Sequence, residues 1–242
     1  MPGNTVKTEA IVLRSIRYGE ADRILHLYSR ERGRMGAIAK GARKPKSRFG
    51  GRLEPFFRLD LLLHEGRSDL LTVTGVTTLD GYPRLRSSGP ALEAGARACD
   101  AVLRLLDAAE PNPAAYNLLG RYLALLDDPE GAPRATTLEV ALSFRLKLAM
   151  VAGFSPELAS CTRCGEADHL AGFSGAAGGV VCASCEAGSF GLSEEAHAFM
   201  VEALAKPLVE APAAEPLALR QVERAVHETL EHHAHVQLRA AA

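Results

Sequence analysis

Short apolar runs broken by turn residues fill the first 82 positions, and a longer helical period replaces them afterwards. "AIVLRSIRY" and "DRILHLYS" are rich in Ile, Leu and Tyr and are parted by "GEA". "RMGAIAK" follows, with Gly33 ahead of it, and "LEPFFRLDLLLH" and "LLTVTGVTTL" flank the turn cluster "EGRSD". Leu71 and Val73 alternate with Thr72 and Thr74, the period-two mark of a half-buried strand. Gly75 inside that run signals a bulge or tight bend. Five short strands in so short a span predict a small barrel.

After "GYPRLRSSGP" the period changes. Ser87 or Ser88 is placed to cap a helix opened by Pro90. Glu93, Arg97, Asp100, Arg104 and Asp107 recur at helical spacing, while Leu92, Ala96, Cys99, Val102, Leu103 and Leu106 fill the opposite face. "PNP" stops this helix; a second is expected over 114–126 and a third from Thr136 or Thr137. The third, "LEVALSFRLKLAMVAGF", is apolar on nearly every side, which predicts a central position, and Gly153 and Pro156 end it. Two more helices are expected over 193–205 and 216–235. The fold class is therefore α+β: a five-stranded barrel domain over 1–82, then a helical domain over 83–242.

Composition adds compartment and charge. No apolar run is long enough for a membrane span. "MPGNTVKTEA" lacks the basic start and apolar stretch of a secretory signal, so a cytoplasmic protein with reduced thiols is expected. The net charge of −1 conceals an asymmetry: residues 1–84 hold 16 Lys and Arg against 9 Asp and Glu, and residues 85–242 hold 12 against 20. Two units with different partners follow from that division, chance segregation of surface charge being the plainer reading.

Cys161-x2-Cys164 and Cys182-x2-Cys185 enclose 17 residues, the spacing of a four-cysteine zinc site in an insert at about 158–190. Each CxxC knuckle directs two thiolates at one ion, and two knuckles complete a tetrahedron. Four thiolates leave no open position for water, so such a site is structural. A zinc deaminase would need PCxxC and an upstream HxE, which are absent. The simpler alternative is a set of reduced cysteines without metal. Cys99, on an apolar helix face, reads as a small core residue. The histidines of "HETLEHHAH" read as a polar face of the last helix, with a metal role as the alternative.

Lys40, Arg43, Lys44, Lys46, Arg48 and Arg52 stand together with no acid among them, interrupted by Gly41, Pro45, Gly50 and Gly51. Such a loop follows a polyanion and brings backbone N–H groups near phosphate. Tyr18, Tyr28, Phe56 and Phe57 lie on candidate barrel strands, and Phe49, between Arg48 and Gly50, is the expected exposed ring, because cationic grooves with stacking rings hold single strands; one of the adjacent Phe56 and Phe57 is expected in the core, as is Tyr28. The competing reading of the loop is a merely solvated segment. GxxxxGK[ST], GxGxxG and GxSxG are all absent, so no nucleotide-hydrolysis or hydrolase nucleophile motif is present.

"YGEADRIL", "AKGARKPKSRFGGRLEPF" and a helical half carrying CxxC-x17-CxxC together resemble the bacterial recombination mediator family RecO. The resemblance covers essentially the whole chain. "KGARKPKSRFGGRLEPF" is its most specific block, and some family members lack the cysteines. It implies an OB-fold joined to a helical domain with zinc knuckles, and a nucleoid-associated, non-enzymatic protein. It also implies binding of single- and double-stranded DNA and annealing of complementary strands. The implied partners are RecR and single-strand-binding protein (SSB), with a functional link to RecA and, further off, RecF. By motif, the family's basic surface falls on Lys40, Arg43, Lys44, Lys46, Arg48 and Arg52, with Arg34, Arg14, Arg17 and Arg23 as further strand cations. Two other classes stay open on residue chemistry alone: an RNA-binding OB/zinc protein of ribosome assembly or translation, and an enzyme with an unsignalled pocket.

Overall fold

A computed structural model describes residues 4–66 and 70–241; Arg67, Ser68 and Asp69 of the expected "EGRSD" turn lie outside the described residues. Two compact units arise, Met1–Asp128 and Pro129–Ala242.

In the first unit, β1 (Thr5–Tyr18), β2 (Asp22–Ser29), β3 (Gly33–Ala39), β4 (Arg58–His64) and β5 (Leu71–Asp80) close into a barrel in the order β1-β2-β3-β5-β4. β1 is antiparallel to both β2 and β4, and β3 runs parallel to β5. This is the OB-fold. Val6, Ala10, Val12, Leu25, Leu27, Leu59, Leu61, Leu63 and Val73 fill its interior. β4 begins at Arg58, later than the run "LEPFFRLDLLLH" implies, because Phe56 takes a left-handed φ of 77° that no strand continues through. Its N–H donates to the Val12 carbonyl at 2.8 Å and its ring lies against Gly95, so tertiary contacts hold the strained backbone. Gly33 is required at the start of β3: its φ is +65°, and a Cβ there would meet the Glu110 carbonyl oxygen at 2.0 Å.

α1 (Pro83–Ser87), α2 (Gly89–Leu105) and α3 (Pro113–Asp127) complete this unit. Strand therefore gives way to helix just after Tyr82, whereas the compact unit extends to Asp128. The i,i+4 pairs Arg97–Glu93 and Arg104–Asp100 form on α2 as its charge spacing predicts. Its buried stripe differs from the one expected. Cys99, Val102 and Leu106 are buried as expected, but Leu92 is 43% exposed and Ala96 is exposed, while Ala91, Gly95, Ala98 and Leu105 are buried in addition. Small residues let α2 approach Phe56 and Leu123 closely, and that gain outweighs burial of one large leucine. Cys99 is buried as expected, and burial pushes its thiol up to about 12.

A polar junction ties α3 to the barrel. Glu9 of β1 accepts from Arg58 Nε at 2.5 Å and from the Tyr116 hydroxyl at 2.6 Å. Burial opposes ionisation of Glu9, but the bonds from Arg58 and Tyr116 outweigh it and hold the carboxyl below its ordinary value.

The second unit contains α4 (Ala132–Ala135), α5 (Leu138–Val151), α6 (Glu194–Ala205) and α7 (Pro216–Ala234). α5 is central, as its all-round apolar pattern predicts, and packs against α6 and α7. Its Arg145 is buried and reaches the Arg239 carbonyl and Glu223. Between α5 and α6 lies a three-stranded sheet in the order β7-β6-β8: β6 (Leu170–Ser174), β7 (Gly179–Cys182) and β8 (Phe190–Gly191). These strands are too short and glycine-rich to show a period in sequence.

The Glu9 junction sets an acid dependence. A carboxyl held below its unfolded value stabilises the fold fully above about pH 4.5, and that contribution is lost as the pH falls through the folded value. Glu9→Gln should cost about 1 kcal/mol at neutral pH, a modest figure because the pair is partly solvated. It should also flatten the loss of urea-unfolding stability between neutrality and about pH 3. Parallel acid curves for the variant and the parent would contradict this role.

Candidate nucleic-acid interface and metal centre

Residues 40–57, between β3 and β4, form a string of turns. Lys44 N donates to the Gly41 carbonyl, Ser47 N to that of Lys44, Gly50 N to that of Ser47, and Arg52 N to that of Phe49. Gly41 N is anchored on Asp22 Oδ1 at 2.7 Å. Phe49, Leu53 and Phe57, four residues apart, plug this string into the barrel core.

The expectation for Phe49 is thereby corrected. Its ring is 1% exposed and cannot stack on a base. Flanking cations obscured a four-residue apolar spacing that marks it as an anchor. Arg48 instead covers that ring from outside, 4.9 Å from its centroid.

The loop's cations divide by what holds them. Lys40, Arg43, Lys44, Lys46 and Arg48 are exposed. Lys40, Lys44 and Lys46 have no side-chain hydrogen bond or ion pair among the described residues. Arg52 is half-buried and bonds to the Phe49 and Arg48 carbonyls at 2.8 and 3.1 Å, so it braces the loop. Arg34 on β3 reaches the Leu103 carbonyl and braces the barrel against α2.

The strand face gains its character from one irregularity. Up to Val12, alternate residues of β1 point into the barrel. The register shifts between Val12 and Arg14, a bulge at Leu13. Beyond it Arg14, Ile16 and Tyr18 stand outside, with Ile16 37% and Tyr18 54% exposed. Ile16 lies opposite Ile24, and Ile24 opposite Ile38, so an apolar row crosses three strands. Strands two and three are the usual ligand face of an OB barrel. An exposed ring on this face is thus Tyr18, which the sequence places on a candidate strand without giving its facing, because a bulge leaves no residue signature here. His26, opposite Arg14, has its pKa lowered by burial and then by Arg14 and Arg34.

In the second unit the four cysteines converge. Sγ atoms of Cys161, Cys164, Cys182 and Cys185 all lie within 4.8 Å of one another. A tetrahedral thiolate site with bonds of about 2.3 Å has edges of about 3.8 Å, and Cys164 and Cys182 stand 3.7 Å apart. The set fits a metal ion. Backbone hydrogen bonding from Cys182 lowers the Cys161 thiol to about 6, against the opposing effect of burial and with help from the Arg163 and Cys164 backbones. Arg163 clasps the second knuckle by bonding to the Cys185 and Ala187 carbonyls at 2.6 and 2.7 Å. Gly179 seats the sheet, because a Cβ there would meet the Glu157 carbonyl oxygen at 2.2 Å.

Comparison with known proteins covers both units. The family description "Recombination protein O N terminal" matches residues 1–82, and "Recombination protein O C terminal" matches residues 86–241. The DNA repair protein RecO of Rubrobacter xylanophilus is 40% identical over 227 residues, spanning 90% of this chain and 89% of that protein. That of Bifidobacterium animalis is 42% identical over 178 residues, with 73% and 72% covered. An Anaeromyxobacter RecO is 35% identical over 237 residues, with 94% and 91% covered.

Metal removal should weaken the unit that carries the cysteines. Binding contributes on the order of 10 kcal/mol in isolated metal-folded peptides; here α5–α7 share the core, so a partial loss is expected. Chelation or Cys182→Ser should lower the melting temperature of the full chain. An unchanged melt in protein shown metal-free by elemental analysis would refute a structural metal.

Proposed function

Because this chain belongs to the recombination protein O family, we propose that it is a recombination mediator that works by binding DNA and not by catalysis. The observation that carries the proposal is the set of exposed, unneutralised cations Lys40, Lys44 and Lys46, displayed on a loop whose apolar residues are anchored in the barrel. Arg43 and Arg48 join them. Phosphate contacts of this kind position a strand without reading its sequence. Tyr18 and the row Ile16, Ile24, Ile38 offer a surface for unstacked bases, which favours single strands.

Annealing is downhill once complementary strands meet. A protein need only screen their repulsion and hold them near each other, so the proposed reaction uses no ATP. RecR is the proposed partner on residues 1–82, where DNA and protein must be coordinated, and the outcome of the partnership is RecA loading on SSB-coated single strands. Contacts with SSB belong to the same reading, as does a cytoplasmic, DNA-associated location. Zinc is the proposed ion at Cys161, Cys164, Cys182 and Cys185, since four thiolates at tetrahedral spacing suit it and leave no catalytic position.

Salt dependence tests the interface. If about four loop cations touch single-strand phosphates, log K should fall against log salt with a slope of roughly −3. Lys44→Glu with Lys46→Glu should weaken every sequence alike and remove about half of that slope. Unchanged affinity and slope would sink the proposed surface. Tighter binding of RNA than of DNA of equal length would redirect the reading to RNA. An annealing rate that requires hydrolysable ATP would overturn the binding-only mechanism.

A further inference from the structure

Beside the loop, an open cleft of about 290 Å³ is lined by Arg17, Arg23, Arg43 and Glu54, with Leu53 and Gly50 at its wall. Three guanidiniums meet one carboxylate there. Arg17 and Arg23 sit directly opposite each other on β1 and β2, a cross-strand pairing of like charges that costs stability. Glu54 offsets part of that cost through a fork on Arg23, with Nη2 to Oε1 at 2.6 Å and Nη1 to Oε2 at 3.3 Å. Arg17 has no side-chain hydrogen bond or ion pair among the described residues, and Arg43 only reaches the Gly19 carbonyl at 3.3 Å.

The two members of the fork are not equally fixed. The Arg23 side chain is 18% exposed, and its guanidinium is also held by Ser15 Oγ at 2.9 Å. Glu54 is 42% exposed and belongs to the loop. If the carboxylate leaves, the guanidinium stays. We infer that this cleft is a seat for one phosphate group of a nucleic acid strand, and that Glu54 is its displaceable stand-in. A phosphodiester carries the same single negative charge as Glu54, so the exchange at Arg23 is nearly balanced. The gain comes from Arg17 and Arg43, which the carboxylate does not satisfy. The cleft exceeds the size of a phosphate group and admits its sugar as well.

This inference rests on the reading of the barrel as a single-strand surface, and the test separates the two. The full chain is titrated with fluorescent oligothymidylate over a range of salt. Glu54→Gln should tighten binding about two- to fivefold, the range released by an exposed ion pair. Arg17→Ala should weaken binding and reduce the salt slope by about 0.7, one single-strand phosphate contact. In the Arg17→Ala background the gain from Glu54→Gln should shrink. Inorganic phosphate should compete with the oligonucleotide for the parent and less well for Arg17→Ala, an arm that needs no change at Glu54. Melting curves confirm that each variant is folded. Weaker or unchanged binding by folded Glu54→Gln, while Lys44→Glu with Lys46→Glu still reduces affinity, overturns the phosphate seat alone. Indifference of both variants overturns the surface beneath it. Polyglutamate competing as well as oligothymidylate at matched charge would reassign the cleft to an acidic protein segment.

Discussion

The exposed strand face of the barrel depends on how β1 pairs. This strand must satisfy β2 along one edge and β4 along the other for the barrel to close, and it changes face once, at Leu13. Side chains alternate across a strand, so a single extra residue exchanges inside for outside. Val6, Ala10 and Val12 build the core before the bulge; Arg14, Ile16 and Tyr18 meet solvent after it. Without the bulge, Arg14 would be driven into an apolar interior and the outer face would lose its ring. Near the bulge β1 is buried on both sides: Ile11 is 0% exposed and lies within reach of Gly120 on α3. The Glu9–Arg58–Tyr116 junction fixes the same helix to the same strand. Core, helices and exposed face are therefore positioned by one strand.

Much of this architecture was legible in the chain because its elements carry local signals. β5 alternates Leu and Val with Thr, α5 is apolar all round, and α3, α6 and α7 lie where pattern and stop residues put them. The CxxC pairs are readable for the same reason, since each knuckle is made within four residues. What was not legible depends on contacts distant in sequence. The stripe of α2 follows Ala91, Gly95 and Ala98 because Phe56 and Leu123 need room, and neither neighbour is visible from the helix alone. Phe49 looked exposed because charge surrounds it in sequence, although it is anchored in space. The face of Tyr18 required knowledge of the bulge. Among the basic residues, position in the motif could not separate free cations such as Lys44 from braces such as Arg52 and Arg34.

That separation has an energetic meaning. Cations crowded on one loop repel one another, at a cost that salt screens only in part. The loop resists this by satisfying itself: successive turns pair its backbone, Arg52 binds its carbonyls, and Arg48 lies over Phe49. Three apolar anchors fasten the string to the barrel. A loop ordered in this way has met its conformational cost during folding, and the cost of ordering it again on binding is small.

The second unit applies the same economy to thiols. Four Sγ atoms within 4.8 Å would repel one another as thiolates, yet the backbones of Cys182, Arg163 and Cys164 and the clasp of Arg163 hold the knuckles in place. In both units like groups are gathered against their mutual repulsion by a scaffold that is otherwise well satisfied. Such an arrangement lowers the stability of the isolated protein and raises its affinity for a partner of opposite charge. For the cysteines the partner that fits is a cation. For the loop and the barrel end the proposed partner is a polyanion. The sites also differ in burial: Cys161 and Cys182 are buried, Cys185 is half-buried and Cys164 is exposed, whereas Lys40, Arg43, Lys44 and Lys46 all remain open to solvent and salt. Cations held open to solvent are screened by salt, so the affinity of such a surface for any polyanion depends on ionic strength as well as on contact geometry.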